Sequence, residues 1–324
     1  MPFNLMSDDN KTIIFQSKYS RNFTRDELVA MNKLSLEEKI KITNDIVDEF
    51  YTITNGLMYV SFSGGKDSTV MADIILKKYP DTPLVFCNTG LEYPEIVEFV
   101  KRRQNVVLLK PTKPFHKVLE EHGYPVISKE QSRYIEDVQN KRNNWERRLT
   151  GNSFVISKKW RYLIDAPFKI SEKCCLYLKK TPMKKYEHET KRQPLIGVMF
   201  NDSNLRLKYM LEQGFIRTNT RKQCTPLGFW SEQDILEYIA TYNLDYASVY
   251  GKLTKENGIY KLSGVQHTGC MFCMFGVHLE KGENKFQRMK KTHPKQWEFC
   301  IYKLGLGEIL DYIGVDYGKN KFWW

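Results

Sequence analysis

The sequence predicts an α/β fold: a Rossmann-like, mostly parallel sheet with helices on both faces, followed by a helical, cysteine-bearing C-terminal part. Three observations carry this. An apolar run at 57–60 passes through a glycine loop into a stretch at 69–76 whose apolar residues recur every three or four positions. Two more apolar runs, at 84–88 and 106–109, alternate with an amphipathic stretch that begins at Pro94. A further apolar run occupies 195–200. Strands and helices alternating at this spacing are the pattern of a parallel sheet covered by helices.

Residues 1–34 read as an N-terminal extension, polar and mixed, with one short helix from Thr24 to Met31. Ser35-Leu36-Glu37-Glu38 is a capping box, and Ile40, Ile46, Val47, Phe50 and Tyr51 give the helix behind it an apolar face that ends near Asn55-Gly56. The nucleotide-binding α/β domain is expected over 35–220, and a C-terminal helical and cysteine-knuckle region packed on it over 221–324. Within the first, a polar helix is expected over 128–150, carrying Arg133, Lys141, Arg142, Arg147 and Arg148. Another is expected around Cys174-Cys175, ending near Pro182. In the second, Ser231-Glu232-Gln233-Asp234 caps a helix, Cys270-x-x-Cys273 forms a knuckle-like turn, and the chain runs out in an aromatic tail, Phe322-Trp323-Trp324.

Ser61-Phe62-Ser63-Gly64-Gly65-Lys66-Asp67-Ser68 joins the first strand to its helix. Two glycines permit positive φ and let backbone N–H groups converge. The helix start adds unpaired N–H groups and a partial positive charge, and small hydroxyls and Lys66 surround the same point. Such a turn suits a phosphate. The G-x-x-x-x-G-K-[ST] spacing of the Walker A loop is missing. Ligands of parallel sheets bind beyond the carboxyl ends of the strands, so Thr89-Gly90, after the second strand, is expected to face the same ligand.

The 324 residues carry 50 Lys+Arg against 38 Asp+Glu, a formal charge of +12. That excess favours anionic partners without choosing among nucleotides, sulfated metabolites and nucleic acid. No apolar run approaches the ~20 residues that span a bilayer, and no secretory signal is apparent, so a cytoplasmic protein without membrane attachment is expected. Seven cysteines in such a chain argue against a disulfide framework. No helix-turn-helix, zinc-finger or RNP pattern supports a plain nucleic-acid-binding module.

Ser63-Gly64-Gly65-Lys66-Asp67-Ser68 resembles the pyrophosphate (PP) loop of the adenine nucleotide alpha-hydrolase superfamily and, more narrowly, of the phosphoadenosine phosphosulfate (PAPS) reductase family. Asn88-Thr89-Gly90-Leu91-Glu92 resembles that family's Asp-Thr-Gly segment, with Asn88 in place of the acid. Gly197-x-Met199-x-x-Asp202-Ser203-x-x-Arg206 resembles its Gly-x-Arg-x-x-Glu-Ser-x-x-Arg segment, with departures at Met199 and Asp202. Pro226 through Tyr250 resembles its Trp-Thr-Glu-x-Asp-Val region. The resemblance covers about 35–315. It implies that Ser61, Ser63, Gly64, Gly65, Lys66, Asp67 and Ser68 hold phosphates. It also implies that Asn88, Thr89 and Gly90 lie near the nucleoside, that Gly197 belongs to the cofactor-binding set, and that Arg206 pairs with a phosphate or sulfate oxygen. Lys66, Asp67 and Arg206 are the implied catalytic residues. In an ATP-using branch Asp67 sits near Mg²⁺ and pyrophosphate leaves as a substrate oxygen attacks the α-phosphorus. In a reductase branch the cradle holds a sulfonucleotide (APS or PAPS).

Family members with Cys-Cys and Cys-x-x-Cys bind [4Fe–4S], which implies a cluster on Cys174, Cys175, Cys270 and Cys273. Four thiolates also suit a structural Zn²⁺, although adjacent helical cysteines point about 100° apart, which is awkward for one tetrahedron. Buried free thiols are the third reading. Lys173, Lys179 and Lys180 are placed to offset a cluster's charge. Sulfonucleotide reductases of the family use a cysteine in a Glu-Cys-Gly-x-His segment, and no cysteine follows Cys300 here. The leading expectation is an adenine-nucleotide-dependent enzyme of sulfur metabolism or sulfur transfer. A thioredoxin-like or cysteine-desulfurase donor is its implied partner. Alternatives are a sulfonucleotide reductase using another thiol such as Cys300, an ATP-dependent enzyme thiolating nucleic acid, and a non-catalytic nucleotide- or DNA-binding module.

Overall fold

The computed structural model describes residues 17–219 and 221–319, and the aromatic tail from 320 lies outside them. Strands β1 (Met58–Ser61), β2 (Leu84–Cys87) and β3 (Val106–Leu109) pair in parallel. After a short β4 (Val126–Ile127) elsewhere, β5 (Gln193–Leu195) adds in parallel to the free side of β1, and β7 (Gln223–Cys224) adds in parallel to β5. The edge strand β6 (Ile216–Arg217) runs antiparallel to β7. The sheet order is therefore β3-β2-β1-β5-β7-β6. All four residues of β2 are buried, as expected for a central strand covered on both faces. The strand order reverses between β1 and β5, so the loops leaving these two strands open a crevice at their carboxyl ends.

The helix Lys66–Lys78 buries Val70, Met71, Ile74 and Ile75 in the first of two large apolar clusters, which also takes in Val60, Phe86, Leu195, Trp230 and Ile235. Leu36–Ile53 begins with the Ser35 capping box and is fastened to Glu232–Thr241 by a buried ion pair between Lys39 and Asp234, 2.6 Å apart. A hairpin of β8 (Leu253–Glu256) and β9 (Ile259–Leu262) turns through Asn257-Gly258, both at positive φ.

The second cluster gathers Tyr134, Ile135, Trp160, Cys174, Met271, Trp297, Cys300 and Ile309. At its centre β4 pairs in parallel with β10 (Met274–Phe275), joining Val126 to Met274 and Ile127 to Phe275. Both clusters draw on residues from either side of position 220. Among the described residues no helix is long and apolar enough to cross a membrane.

Three elements differ from the sequence expectation. The polar helix is only Lys129–Gln139; Lys141, Asn143 and Asn144 take positive φ, and a short turn, Arg147–Thr150, follows. Buried Asp137 causes the bend, accepting from Asn143 Nδ2 at 2.8 Å and Arg148 Nε at 2.9 Å, so Arg148 is a structural cation rather than one offered to solvent. Pro182 does not end a helix. It sits in the first turn of Thr181–Thr190, which continues from a π-helical turn, Leu176–Lys180. That turn breaks the regular i→i−4 ladder, so the missing proline N–H leaves no bond unmade. The run at 195–200 is strand only to Leu195 and then bends through a 3₁₀ turn, Phe200–Asp202, toward the crevice.

Candidate functional site

The crevice between β1 and β5 contains a cavity of about 620 Å³. The loop after β1 contributes Ser63, Gly65, Lys66 and Asp67, and the segment after β5 contributes Gly197, Met199, Asp202 and Arg206. Glu232, Tyr250, His267, Thr268 and Gly269 close the opposite wall.

Gly64 is the loop residue that needs glycine, with φ +70; a Cβ there would lie 2.7 Å from Val100 Cγ2 and 2.9 Å from Ile96 Cγ2. Gly65 has ordinary φ and is the N-cap of the helix, with no side chain to cap it. Ser68 is buried scaffold: its hydroxyl donates to Gly65 O at 2.9 Å, accepts from Ser63 N–H at 3.2 Å and bonds the Ser63 hydroxyl at 3.0 Å. Ser61 ends β1.

Lys66 is buried, yet its ammonium faces the cavity wall. It donates to Gln266 O at 3.1 Å and lies 3.1 Å from Glu232 Oε1 and 3.5 Å from Asp67 Oδ1. Burial alone would lower its pKa; the Asp67 and Glu232 carboxylates outweigh it and raise the value. Burial pushes the Asp67 carboxyl up, against the pull of Lys66. Arg206 pairs with Asp202, whose carboxylate also accepts from Met199 N–H at 2.9 Å. The wall thus combines two cations, Lys66 and Arg206, with three carboxylates, Asp67, Asp202 and Glu232.

Asn88, Thr89 and Gly90 do not line this cavity. Their loop turns toward the cysteines: Thr89 donates to Glu92 through its N–H and hydroxyl, Glu92 lies 3.4 Å from Lys179 Nζ, and Met271 N–H donates to Leu91 O at 2.8 Å. Cys174 and Cys175 come together there with Cys270 and Cys273. The neighbouring Cys174 thiol holds Cys175 below its ordinary range, with help from Lys129 and Lys179, and the same pairing raises Cys174. Burial raises Cys270, with Lys179 opposing it. Lys179 itself is raised because Cys270 and Glu92 outweigh its burial. Four sulfur donors from two segments beside one half-exposed lysine, Lys179, fit the chemistry of an anionic thiolate-bound group. Among the described residues, however, no three His, Cys, Asp or Glu side chains stand in an arrangement that could hold a metal ion.

Cys87 is buried with its thiol donating to Leu178 O at 2.9 Å, and Cys224 is wholly enclosed. Cys300 is also fully buried; its thiol donates to Trp297 O at 3.3 Å, burial pushes it up to about 12, and it does not line the cavity. The sequence reading singled out neither Tyr250 nor Thr268, and it saw Glu232 only as a helix-capping acid. The acid in the first turn after Ser231 was the available signal for Glu232; nothing local marks Tyr250 or Thr268, because folding alone brings them to the loop.

A relative of known sequence, an uncharacterized protein of Methanocaldococcus jannaschii, is 25% identical over 297 residues, with 87% of this chain and 57% of the relative covered. The chain thus spans little more than half the length of that relative. Among solved structures, the phosphoadenylyl-sulfate reductase of Candida auris in a phosphate complex aligns at TM-score 0.38 and 16% identity, covering 71% of this chain and 92% of that one. The U34-tRNA thiolase of Methanococcus maripaludis, solved with its [4Fe–4S] cluster, aligns at TM-score 0.35 and 14% identity, covering 92% and 85%. The profile of the phosphoadenosine phosphosulfate reductase domain matches residues 57–274, from the first strand of the sheet through the cysteine turn, and the chain belongs to that family.

Proposed function

We propose that the chain binds ATP with Mg²⁺ in the β1–β5 cavity and transfers the adenylyl group to a substrate oxygen, as one step of sulfur transfer. The observation that carries this reading is the mixed charge of the wall. Lys66 and Arg206 offer donors to phosphate oxygens, while Asp67, Asp202 and Glu232 would repel a bare polyphosphate. A magnesium–phosphate ligand answers both signs, since Mg²⁺ binds through one or two carboxylates together with substrate phosphates. A sulfonucleotide without a metal adds further negative charge to a wall where three carboxylates already share two cations.

In this reading the loop N–H groups and Lys66 hold the β- and γ-phosphates. A substrate oxygen attacks the α-phosphorus, the bond from that phosphorus to the bridging oxygen breaks, and pyrophosphate leaves with the electron pair. Lys66 and Arg206 stabilise charge developing on the departing oxygens. Asp67 and Asp202 are the carboxylates that would hold the Mg²⁺, whose chemistry is to offset the phosphate charge. Cys174, Cys175, Cys270 and Cys273 are proposed to hold a [4Fe–4S] cluster, which when bound supplies a redox-active, sulfur-bearing centre. Lys179 lies beside them to balance its charge. Cys300, sealed in the second core, gives no support to a reductase that uses it as its thiol.

The test is pyrophosphate release from MgATP by anaerobically purified protein, lost in Asp67→Asn. Sulfite release from a sulfonucleotide with added thioredoxin, and none of pyrophosphate from ATP, overturns the reading. For the cysteines, a broad absorbance near 400 nm that disappears in Cys174→Ser is expected; a colourless protein containing zinc overturns the cluster.

A further inference from the structure

The phosphate loop is already capped by the protein itself. The hydroxyl of Tyr250, a residue 2% exposed, accepts the Lys66 backbone N–H at 3.1 Å and bonds Thr268 Oγ1 at 2.8 Å. That amide opens a helix of 13 residues whose N-cap, Gly65, has no side chain. The phenol therefore takes the position where an anion is most favoured. The Lys66 ammonium is drawn the same way, onto Gln266 O. There is no slack between loop and strap: a Cβ on Gly65 would lie 3.1 Å from Thr268 Oγ1 and 3.2 Å from the Tyr250 hydroxyl. The strap that carries Gln266 and Thr268 reaches Cys270 two residues later, and the next residue, Met271, is pinned to Leu91 O.

We propose that Tyr250 is a displaceable cap and positioning residue: phosphate entering the cavity replaces its hydroxyl at the Lys66 amide, frees Thr268, and shifts the turn that carries Cys270 and Cys273. The proposal rests on the nucleotide reading above and adds how occupancy of the cavity reaches the cysteines. A phosphate oxygen competes well, because hydrogen bonds to an ionised acceptor are roughly twice as strong as neutral ones. Coupling of this kind is reciprocal: whatever fixes Cys270 also changes affinity at the loop.

Calorimetric titration of the full chain with magnesium pyrophosphate and with MgATP tests it, on the wild type, Tyr250→Phe and Thr268→Val. Removing the competing hydroxyl, or its tether, is expected to tighten binding about threefold to tenfold, the worth of one hydrogen bond. In the wild type, pyrophosphate is also expected to change the amide hydrogen exchange of the 266–273 strap, followed by peptide mass spectrometry, about threefold or more, with the segment around buried Cys300 as the reference. Thermal melts of both variants identify any that fails to fold, and the other then carries the comparison. Binding that is unchanged or weaker in folded variants, or hydrogen exchange of the strap indifferent to ligand, overturns the cap while leaving the nucleotide reading intact. Absence of binding to the wild type and to both variants overturns both.

Discussion

Lys66 Nζ lies 3.1 Å from Oε1 of Glu232, on a lysine side chain that is 1% exposed. This contact ties the phosphate loop to the first turn of the helix Glu232–Thr241, and it makes the lysine a structural cation as well as a candidate ligand contact. Lys66→Ala is expected to weaken magnesium pyrophosphate binding at least tenfold and to lower unfolding free energy by about 1–3 kcal/mol, since it strips two carboxylates of their partner. The sign with pH follows from the raised lysine pKa. The stabilisation is fully present below the ordinary lysine range and is lost as pH rises through the raised folded value. Urea titrations at pH 7 and at high alkaline pH should therefore show the gap between wild type and variant close only at the alkaline end.

The two loop glycines should respond differently. At Gly64, positive φ and the clash with Val100 and Ile96 act together, so Gly64→Ala is expected to cost about 1–3 kcal/mol and to abolish ligand binding. At Gly65 the added methyl meets only the ends of Thr268, Ser63 and Tyr250, with ordinary backbone φ. Gly65→Ala should leave the melting temperature within a few degrees and act on binding alone. Equal melting shifts in the two variants would contradict this account.

Lys39 joins Asp234 at 2.6 Å and also donates to Asn32 O at 2.6 Å, with 1% of the residue exposed. Lys39→Met leaves Asp234 buried without its cation and is expected to lower stability by about 3–5 kcal/mol. Adding Asp234→Asn to that variant should recover part of the loss. Strict additivity of the two in denaturant titrations would show that the pair is not coupled.

Glu172 has a buried carboxylate oxygen without a hydrogen-bond partner, and its pKa is raised by burial first and by Glu136 second. A carboxyl with a raised folded pKa binds more protons folded than unfolded between the ordinary and the raised value, so stability falls as pH rises through that window. Glu172→Gln is therefore expected to be the more stable protein at pH 8, by about 1 kcal/mol. The advantage should disappear as the pH falls toward 4.5, the usual glutamate value. A variant less stable than the wild type at pH 8 would refute the assignment.

The sheet was largely legible in the sequence because buried parallel strands are apolar throughout and their order alternates with periodic helices. Ser35, Ser231 and Thr24 marked helix starts correctly, because a cap is a local exchange of hydrogen bonds. Elements decided at a distance were not legible. Asp137 bends the chain after Gln139 through side chains that no periodicity reports, and the pairing of Val126–Ile127 with Met274–Phe275 has no signature in either segment. The site divides the same way. Ser63, Gly65, Lys66, Asp67, Gly197 and Arg206, expected from motif segments, line one cavity, whereas Asn88, Thr89 and Gly90 lie outside it, in a loop that Thr89 ties to Glu92. Tyr250 and Thr268 reach the loop only through tertiary folding.

The short ladder between β4 and β10 joins segments about 150 residues apart, and the second apolar cluster is built on both sides of it. During synthesis Val126, Tyr134, Ile135 and Trp160 emerge from the ribosome long before Met271, Met274, Trp297 and Ile309, the residues that cover them. The middle third of the nascent chain must therefore wait with its apolar surface uncovered, a condition that slows folding and invites chaperone capture. Cys174 and Cys175 wait with it, so the four-thiol site can be assembled only after the C-terminal third has left the exit tunnel.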